Sequence, residues 1–217
     1  MKTKQCQVLV VGAGPGGYVA AIRSAQLGLK TIIVEGERAG GTCLIRGCIP
    51  SKALIHAAHT FHNLAKHTAK DGHMGITIPG PAELEMSNLV GWKEGIVDRL
   101  NKGVEALLKN AGAELVTGWA VFQDAKTVKI GEGKDATLIQ ADHVIMAQGS
   151  LPVELPFMPF SEHVLSSREA LSLEDLPDHI VVVGGGYIGL ELGITFRMLG
   201  SEAVSYTHLT LPTTSFV

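Results

Sequence analysis

The hydrophobic and polar positions near the start of the chain follow a strand-helix-strand pattern. Gln7–Val11 is an apolar run without charges, which is typical of a strand buried on both faces. A glycine-rich turn follows, and we predict a helix over Gly14–Leu27 that Gly28 closes. Lys30–Val34 is predicted to be a second buried strand, ending at the acidic Glu35. Together these segments predict a β-α-β unit.

Two helices and several short strands are predicted in the middle of the chain. Cys48–Lys66 is predicted helical, with Pro50 acceptable in its first turn because the amide that proline lacks would be unpaired there. Asp71–Pro81, with three glycines and two prolines, interrupts the pattern, and over Asn88–Asn110 apolar residues recur at helical spacing. Short strands separated by turn residues then predict a small antiparallel insertion that returns to the main sheet: Glu114–Val116, Ala120–Phe122, Thr127–Ile130 and His143–Ala147.

Composition narrows the class of partner. The chain has 217 residues, of which 46% are hydrophobic and 26 are glycine, as expected of a globular protein with a buried parallel sheet. Its net charge of −3, without any block of like charge, argues against nucleic acid or an anionic membrane as partner. No apolar run reaches the roughly 20 residues that span a bilayer, and Met1–Cys6 leaves no room for a signal peptide. We expect a cytoplasmic protein that binds small molecules.

A dinucleotide fingerprint lies between the first strand and the first helix. Residues 12–17 have the sequence GAGPGG. In this pattern Gly12 permits the tight turn, Gly14 lets a pyrophosphate approach the backbone, and Gly17 lets helix and strand pack closely. The positive helix end would face the phosphates, and Glu35 could accept hydrogen bonds from a ribose. The alternative is a glycine turn that binds no ligand.

The fingerprint occurs a second time. Leu151–Phe160 holds three prolines and is interpreted as a crossover between domains, after which Ile180–Val183 and Gly184 begin another β-turn-α unit with the sequence VVVGGGYIGLE over residues 181–191. Two such units imply two dinucleotides, as a flavin enzyme that uses a nicotinamide requires. The acidic or basic residue that would select NAD or NADP is missing. We predict an α/β fold: a Rossmann-like dinucleotide-binding domain over residues 1–150 with a small antiparallel β insertion, and the start of a second Rossmann-like domain over residues 151–203.

A cysteine pair follows the first unit. Four residues separate Cys43 from Cys48, and this spacing allows the two sulfurs to meet as a redox-active disulfide. Cys48 lies near a predicted helix N-terminus, which favours a thiolate, and Lys52 adds a positive charge about one turn away. A zinc site is the alternative, but the histidines that follow are spaced so that at most part of the set shares a face, and we interpret them as polar helix surface: His56, His59 and His62. Cys6 is expected to pack beside the first strand.

Taken together, these motifs resemble the pyridine nucleotide-disulfide oxidoreductases. The resemblance extends from Gln7 to about Ala203 and is most specific in GGTC…GCIPSKAL over Gly40–Leu54, with support from GGGYIGLELG over Gly184–Gly193. It is strongest to the members that oxidise protein-bound dihydrolipoamide and reduce NAD. Residues 91–93 (GWK) and 153–156 (VELP) resemble the versions that serve branched-chain 2-oxoacid dehydrogenase complexes. Members that reduce glutathione or mercuric ion are the enzymatic alternatives, and a silent flavin-binding module is the non-enzymatic one.

The resemblance implies that the domain over residues 1–150 is the FAD-binding domain and that the domain over residues 151–203 is the start of the NAD-binding domain. It also implies roles for individual residues. Cys43 would exchange with the substrate dithiol, Cys48 would lie against the flavin as a charge-transfer thiolate, and Lys52 and Glu191 would lie near the nicotinamide. The implied FAD contacts are Gly12, Gly14, Gly17, Glu35, Gly41, Thr42, Lys52, Ala120 and Gly149. The implied NAD contacts are Gly184, Gly186, Tyr187, Ile188, Gly189 and Glu191. The implied partner is the lipoyl domain of a 2-oxoacid dehydrogenase complex, and the full-length protein would be a homodimer.

The chain departs from the family pattern at three points. Ile45 and Arg46 replace the usual Asn-Val between the cysteines, and Arg46 could alter the field at the site entrance. Gln148 replaces the threonine of an Ala-Thr-Gly turn, so the hydroxyl that the family offers there is absent. After Ala203 the expected buried strand and its acidic end are missing, and we predict that residues 204–217 are encoded by a sequencing adapter, the alternative being an unusual terminal loop. The rest of the nicotinamide domain and the C-terminal histidine-glutamate base would then be absent, which predicts poor turnover.

Overall fold

The structure is a computed structural model that describes residues 2–68, 73–74 and 76–207, with backbone alone at residue 134. The interruption predicted at Asp71–Pro81 lies partly outside this range, as do residues 208–217 of the predicted adapter segment. The strands are β1 (Lys2–Val11), β2 (Thr31–Glu35), β3 (Glu114–Thr117), β4 (Ala120–Phe122), β5 (Thr127–Ile130), β6 (Thr137–Met146), β7 (His179–Val183) and β8 (Glu202–Tyr206). The helices are α1 (Pro15–Gln26), α2 (Gly41–Arg46), α3 (Cys48–His67), α4 (Met86–Ala111), α5 (Ser167–Ala170) and α6 (Tyr187–Leu199), with a 3-10 turn at Gly133–Asp135.

The chain divides into two compact units. The first unit contains Met1–Ile49 and Ile96–Val153, and the second contains Pro50–Gly95 and Glu154–Val217. The domain ranges predicted above, 1–150, 151–203 and 204–217, stay predictions. Among the described residues, no helix combines the length and the apolar character that crossing a bilayer requires.

The first unit is built on a six-stranded sheet in the order β3-β2-β1-β6-β5-β4. Strands β3, β2, β1 and β6 are parallel, while β4 and β5 extend the sheet antiparallel. Apolar residues of β1 and β2 point to both faces: Leu9 and Ile32 pack with β5 and β6, whereas Val10 and Ile33 pack with α1 and α4. This burial on both faces explains the continuous apolar runs, and it confirms the predicted α/β fold.

One strand lies elsewhere than predicted. The segment Glu114–Thr117 was expected in the antiparallel insertion, but β3 pairs in parallel with β2 at the opposite edge of the sheet. A parallel pair needs a long crossover connection, and the helical stretch between β2 and β3 supplies it. The short apolar pattern of this segment predicts a strand and does not identify its neighbour.

Three strands depart from the predicted bounds. Strand β1 begins at Lys2 rather than Gln7, because its first half pairs with β6. Strand β6 begins at Thr137 rather than His143, because its first half pairs with both β5 and the start of β1. The sequence predicted that the strand would be missing after Ala203, and this expectation is wrong: β8 runs over Glu202–Tyr206 and pairs in parallel with β7. In the second unit these two strands form a two-stranded sheet. Beside it, residues from α3, α4, α5 and α6 form a separate core around Phe196.

Candidate functional site

The first glycine turn connects β1 to α1 through closely packed backbone. Gly12 has φ +98°, and a Cβ there would lie 2.2 Å from the carbonyl oxygen of Ala147. A Cβ on Gly17 would lie 1.8 Å from the carbonyl oxygen of Gly12. Helix α1 begins at Pro15, and its N-cap Gly14 makes no side-chain capping bond, which leaves the first helical amides without a side-chain acceptor. The arrangement has the geometry of an anion cradle at a helix N-terminus.

The loop that leads to the cysteines lies against this turn. The amide of Gly40 donates to the carbonyl of Ala13 over 2.8 Å. A Cβ on Gly41, where φ is +66°, would lie 2.4 Å from the Cα of Gly14. The structure thereby brings Gly12, Gly14 and Gly41, three of the predicted FAD contacts, into one region of backbone, directly before Thr42.

Glu35 connects the end of β2 to the same turn. Its Oε2 accepts a hydrogen bond from the amide of Ala13 over 2.7 Å, and its Oε1 accepts one from the amide of Glu37 over 3.1 Å. A carboxylate that accepts backbone amides makes strong hydrogen bonds. Glu35 therefore fixes the turn, and its assignment to a ribose stays a prediction.

The turn after β6 completes this part of the first unit. Gly149 has φ +75°, and a Cβ on Gly12 would lie 2.9 Å from the Cα of Gln148. Backbone atoms make this close contact, so it does not need the threonine that Gln148 replaces. Ala120 lies in β4, opposite Ile130 of β5.

The two cysteines form a disulfide. Cys43 lies within α2, Cys48 is the first residue of α3, and their Cα atoms are 4.6 Å apart. Gly47, the residue between the two helices, has no room for a side chain, because a Cβ would lie 2.8 Å from the carbonyl oxygen of Thr42. The predicted disulfide and the predicted position of Cys48 at a helix start are confirmed. The third cysteine, Cys6, is a free thiol, and burial raises its pKa above the ordinary value of 9.0.

The second glycine turn repeats the first. Gly184 has φ +113°, and its amide donates to the carbonyl of Tyr206 over 2.8 Å, as the amide of Gly12 donates to Val34. Helix α6 begins after the N-cap Gly186, which makes no side-chain capping bond. A Cβ on Gly189 would lie 2.7 Å from Cγ1 of Val182. Predicted NAD contacts Tyr187 and Ile188 form the first turn of α6.

Lys52 and Glu191 meet in the second unit. The Nζ of Lys52, in α3, lies 3.3 and 3.4 Å from the two carboxylate oxygens of Glu191, in α6. Their side chains are 62% and 37% exposed, so the pair contributes about 1 kcal/mol or less to stability. The pairing fixes the positions of two charges more than it stabilises the fold.

Sequence reasoning missed three side chains that hold these segments. Asn101 of α4 is buried and donates to the carbonyl of Ala39 over 2.6 Å. Lys93 is 1% exposed and donates to the carbonyl of Leu171 over 2.8 Å. Glu37 pairs with Arg46. The periodicity of α4 predicted a helix, and no local pattern indicates which of its polar residues is buried.

Comparison with known proteins agrees with this geometry. The profile of the pyridine nucleotide-disulphide oxidoreductase family matches residues 6–211. A dihydrolipoyl dehydrogenase of Pseudomonas aeruginosa is 52% identical over 196 residues, which cover 90% of this chain and 42% of that protein. One from Geobacillus stearothermophilus is 47% identical over 198 residues, covering 91% of this chain and 41% of that protein. The chain therefore spans about two fifths of the length of these relatives.

Solved structures show the same fold at lower sequence identity. The HOCl-induced flavoprotein disulfide reductase RclA of Escherichia coli, as the Cu(II) complex of a cysteine-to-serine mutant, matches with a TM-score of 0.79 at 23% identity, over 96% of this chain and 43% of that chain. LpdA of Mycobacterium tuberculosis also matches with a TM-score of 0.79, at 24% identity, over 92% of this chain and 44% of that chain. The disulfide, the glycine turns and the sequence match all agree, and the chain belongs to the pyridine nucleotide-disulphide oxidoreductase family.

Proposed function

We propose that this chain is the disulfide-bearing part of a dihydrolipoyl dehydrogenase, which oxidises protein-bound dihydrolipoamide and reduces NAD. The observation that carries the proposal is the Cys43–Cys48 disulfide at the end of a loop bonded to a dinucleotide-type glycine turn. The relatives described above support the choice of substrate, since both are named for this activity.

The first unit offers suitable residues for FAD. The uncapped amides of α1 can donate to phosphate oxygens, and the absence of a Cβ at Gly14 leaves its backbone open. Gly12, Gly17, Gly41, Thr42, Glu35, Ala120 and Gly149 are the further contacts proposed within this unit. Bound FAD would supply the electron chemistry that no side chain of this chain can perform.

The cysteines accept two electrons from the substrate by thiol-disulfide exchange. One substrate thiol, as its thiolate, attacks Sγ of Cys43, the S–S bond breaks, and Cys48 leaves as a thiolate. The second substrate thiol then attacks the substrate sulfur joined to Cys43, which closes the lipoamide ring and releases Cys43. Two electrons have moved to the cysteine pair, and the substrate thiols have given up two protons. Because Cys48 begins α3, the helix N-terminus stabilises it as the leaving thiolate.

The second unit is proposed to bind NAD. The uncapped N-terminus of α6 repeats the anion cradle of α1, and the proposed contacts there are Gly184, Gly186, Tyr187, Ile188 and Gly189. Lys52 and Glu191 would place a charge pair beside the nicotinamide. The proposal extends to the lipoyl domain of a 2-oxoacid dehydrogenase complex, of the branched-chain type, as partner, to a homodimeric full-length protein, and to a cytoplasmic location.

The test uses reduction of the cysteines, which does not require turnover. The purified 217-residue chain should be yellow, and a stoichiometric addition of dihydrolipoamide without oxygen should reduce Cys43 and Cys48, measured as two newly alkylated thiols by mass spectrometry. A Cys43→Ser variant should keep the yellow colour and gain no such thiols. Addition of NAD to the reduced chain and measurement of absorbance at the NADH band then tests the second step. A folded but colourless chain, or a pair reduced by glutathione as readily as by dihydrolipoamide, would contradict the proposal.

A further inference from the structure

The segment between the two cysteines carries an ion pair to a loop outside it. Arg46 is the last residue of α2, and its Nη2 lies 2.5 Å from Oε2 of Glu37, with Nη1 3.4 Å from Oε1. The two side chains are 24% and 31% exposed, so most of the pair is shielded from water. The Nε of Arg46 is buried and makes no hydrogen bond to the described residues. Both outer nitrogens of the guanidinium fork are thus directed at one carboxylate, a geometry that fixes orientation as well as charge.

Glu37 lies in a loop that is itself held in place. Its amide donates to Glu35, and the amide of Gly40 donates to Ala13 of the glycine turn. The buried Asn101 of α4 holds the carbonyl of Ala39 over 2.6 Å. Three hydrogen bonds, to β2, to the glycine turn and to α4, therefore fix the loop, which makes Glu37 a firm anchor for Arg46.

The consequence concerns the reduced state. When the disulfide is reduced, the S–S bond breaks and the two sulfurs separate to a non-bonded distance, so the segment between them becomes free to move. A segment held at Arg46 loses less order, because the ion pair restricts the conformations that the dithiol can reach. We propose that Glu37 and Arg46 form a latch that keeps Cys43 and Cys48 facing each other after reduction and thereby favours re-formation of the disulfide. Both are positioning residues, acting through the segment between the cysteines.

The latch concerns the same site as the proposed function, and its test is independent of that function. Equilibration with dithiothreitol transfers two electrons and two protons from its thiols to Cys43 and Cys48, while dithiothreitol closes to its cyclic disulfide. The fraction of alkylated Cys43 and Cys48, counted by mass spectrometry at pH 7 over a series of oxidised and reduced dithiothreitol ratios, gives the equilibrium constant. Neither flavin nor NAD enters the measurement, so the latch and the proposed function can fail separately.

Arg46→Gln and Glu37→Gln should each shift this equilibrium about threefold toward the dithiol, as expected when a partly exposed ion pair is lost. The double variant should shift it no further, because either single change already opens the latch. If the two charges acted only on the stability of a cysteine thiolate, the two single variants would shift the equilibrium in opposite directions. Loss of the Arg46 cation would disfavour the thiolate, and loss of the Glu37 anion would favour it.

A matched control is the ion pair between Lys4 and Glu114, which joins β1 to β3 in the same unit. Lys4→Gln should leave the equilibrium constant unchanged. Arg46→Lys keeps the positive charge but loses the forked guanidinium, so its equilibrium constant should lie between those of wild type and Arg46→Gln. It also replaces Arg46→Gln as the test variant if Arg46→Gln fails to fold. Shifts of opposite sign in the two single variants, additive shifts in the double variant, or no shift in either would overturn the latch.

Discussion

The two glycine turns have the same spacing of glycines but different surroundings. The first turn connects α1 to β1, a strand of the six-stranded sheet. The second connects α6 to β7, a strand of the two-stranded sheet. Residues Val8–Val11 of β1 are all buried, whereas Val181 and Val183 of β7 are 65% and 56% exposed. The β7–β8 sheet thus has helical packing on one face, while the sheet of the first unit is packed on both.

The same contrast appears at the glycines themselves. Both Gly12 and Gly184 have φ well above zero, a conformation that favours glycine wherever it occurs. A Cβ on Gly12 would strike backbone atoms, whereas a Cβ on Gly184 would meet no atom within 4 Å. The turn geometry is therefore a local property of the motif, and the lack of space around it is a property of the sheet in which it lies.

The two turns also differ at the residue that follows the carbonyl bonded by the first glycine, a carbonyl that belongs to Val34 in the first unit and to Tyr206 in the second. In the first unit this residue is Glu35, whose carboxylate accepts the amide of Ala13. In the second unit the matching residue is Thr207, whose Cγ2 would lie 3.1 Å from a Cβ on Gly185. The first turn is held by a charge-assisted hydrogen bond, whereas Thr207 carries no charge with which to make one.

Gly17 and Gly189 allow the most direct test of this contrast. Gly17→Ala should lower the free energy of unfolding of the first unit by more than about 3 kcal/mol, because its Cβ meets backbone that cannot move aside. Gly189→Ala should change the second unit by no more than about 1 kcal/mol, because a side chain of Val182 can move and alanine favours the helix. The chain has one tryptophan in each unit, Trp119 in the first and Trp92 in the second. Denaturant unfolding followed by fluorescence, with the other tryptophan replaced by phenylalanine, separates the two units, and equal losses would contradict the comparison.

A second test compares two valines at matching strands. Val10→Ala should cost the first unit about 2 kcal/mol, from lost burial and the cavity left behind. Val183→Ala, at a position 56% exposed, should cost the second unit less than about 0.5 kcal/mol. The same fluorescence measurement applies. A large loss at Val183 would mean that this face is covered in solution.

A third test removes the charge that closes the first turn. Glu35→Gln should lower the free energy of unfolding of the first unit by about 1 kcal/mol, since its hydrogen bonds to Ala13 and Glu37 would no longer be charge-assisted. Thr207→Val, the matched change in the second unit, should have an effect below about 0.5 kcal/mol. Thermal unfolding at one fixed pH suffices for the measurement. If the two changes had the same effect, the carboxylate would not distinguish the turns.

The smallest effect concerns alkaline pH. Because burial raises the pKa of the Cys6 thiol, the unfolded chain releases this proton at lower pH than the folded first unit does. The contribution of Cys6 is therefore complete below its ordinary pKa of 9.0 and is lost as the pH rises through the higher folded value. Trp119 fluorescence should show a steeper alkaline loss of stability in wild type than in Cys6→Ala, with no such difference at Trp92. Identical pH profiles in the two proteins would show that the thiol is accessible.

Sequence patterns were sufficient for much of the fold and for the pairing of the two cysteines. The apolar runs of β1 and β2, the glycine turns and the spacing of Cys43 and Cys48 are local features, and each was interpreted correctly because its physical cause lies within a few residues. The predicted position of β3 was wrong because the sequence of a four-residue strand does not indicate which strand it pairs with. The end of β8 was missed because exposed positions in a two-stranded sheet lack a buried-strand pattern.

Contacts between distant residues required the folded chain. Nothing in the sequence near Arg46 indicates Glu37 as its partner, and nothing in α4 distinguishes Asn101 from the exposed polar residues around it. Backbone conformation and helix or strand periodicity arise from neighbours along the chain, so a motif expresses them directly. Burial, ion pairing and the space around a glycine arise from neighbours in three dimensions, and the same motif therefore acquires a crowded turn in one unit and an open turn in the other.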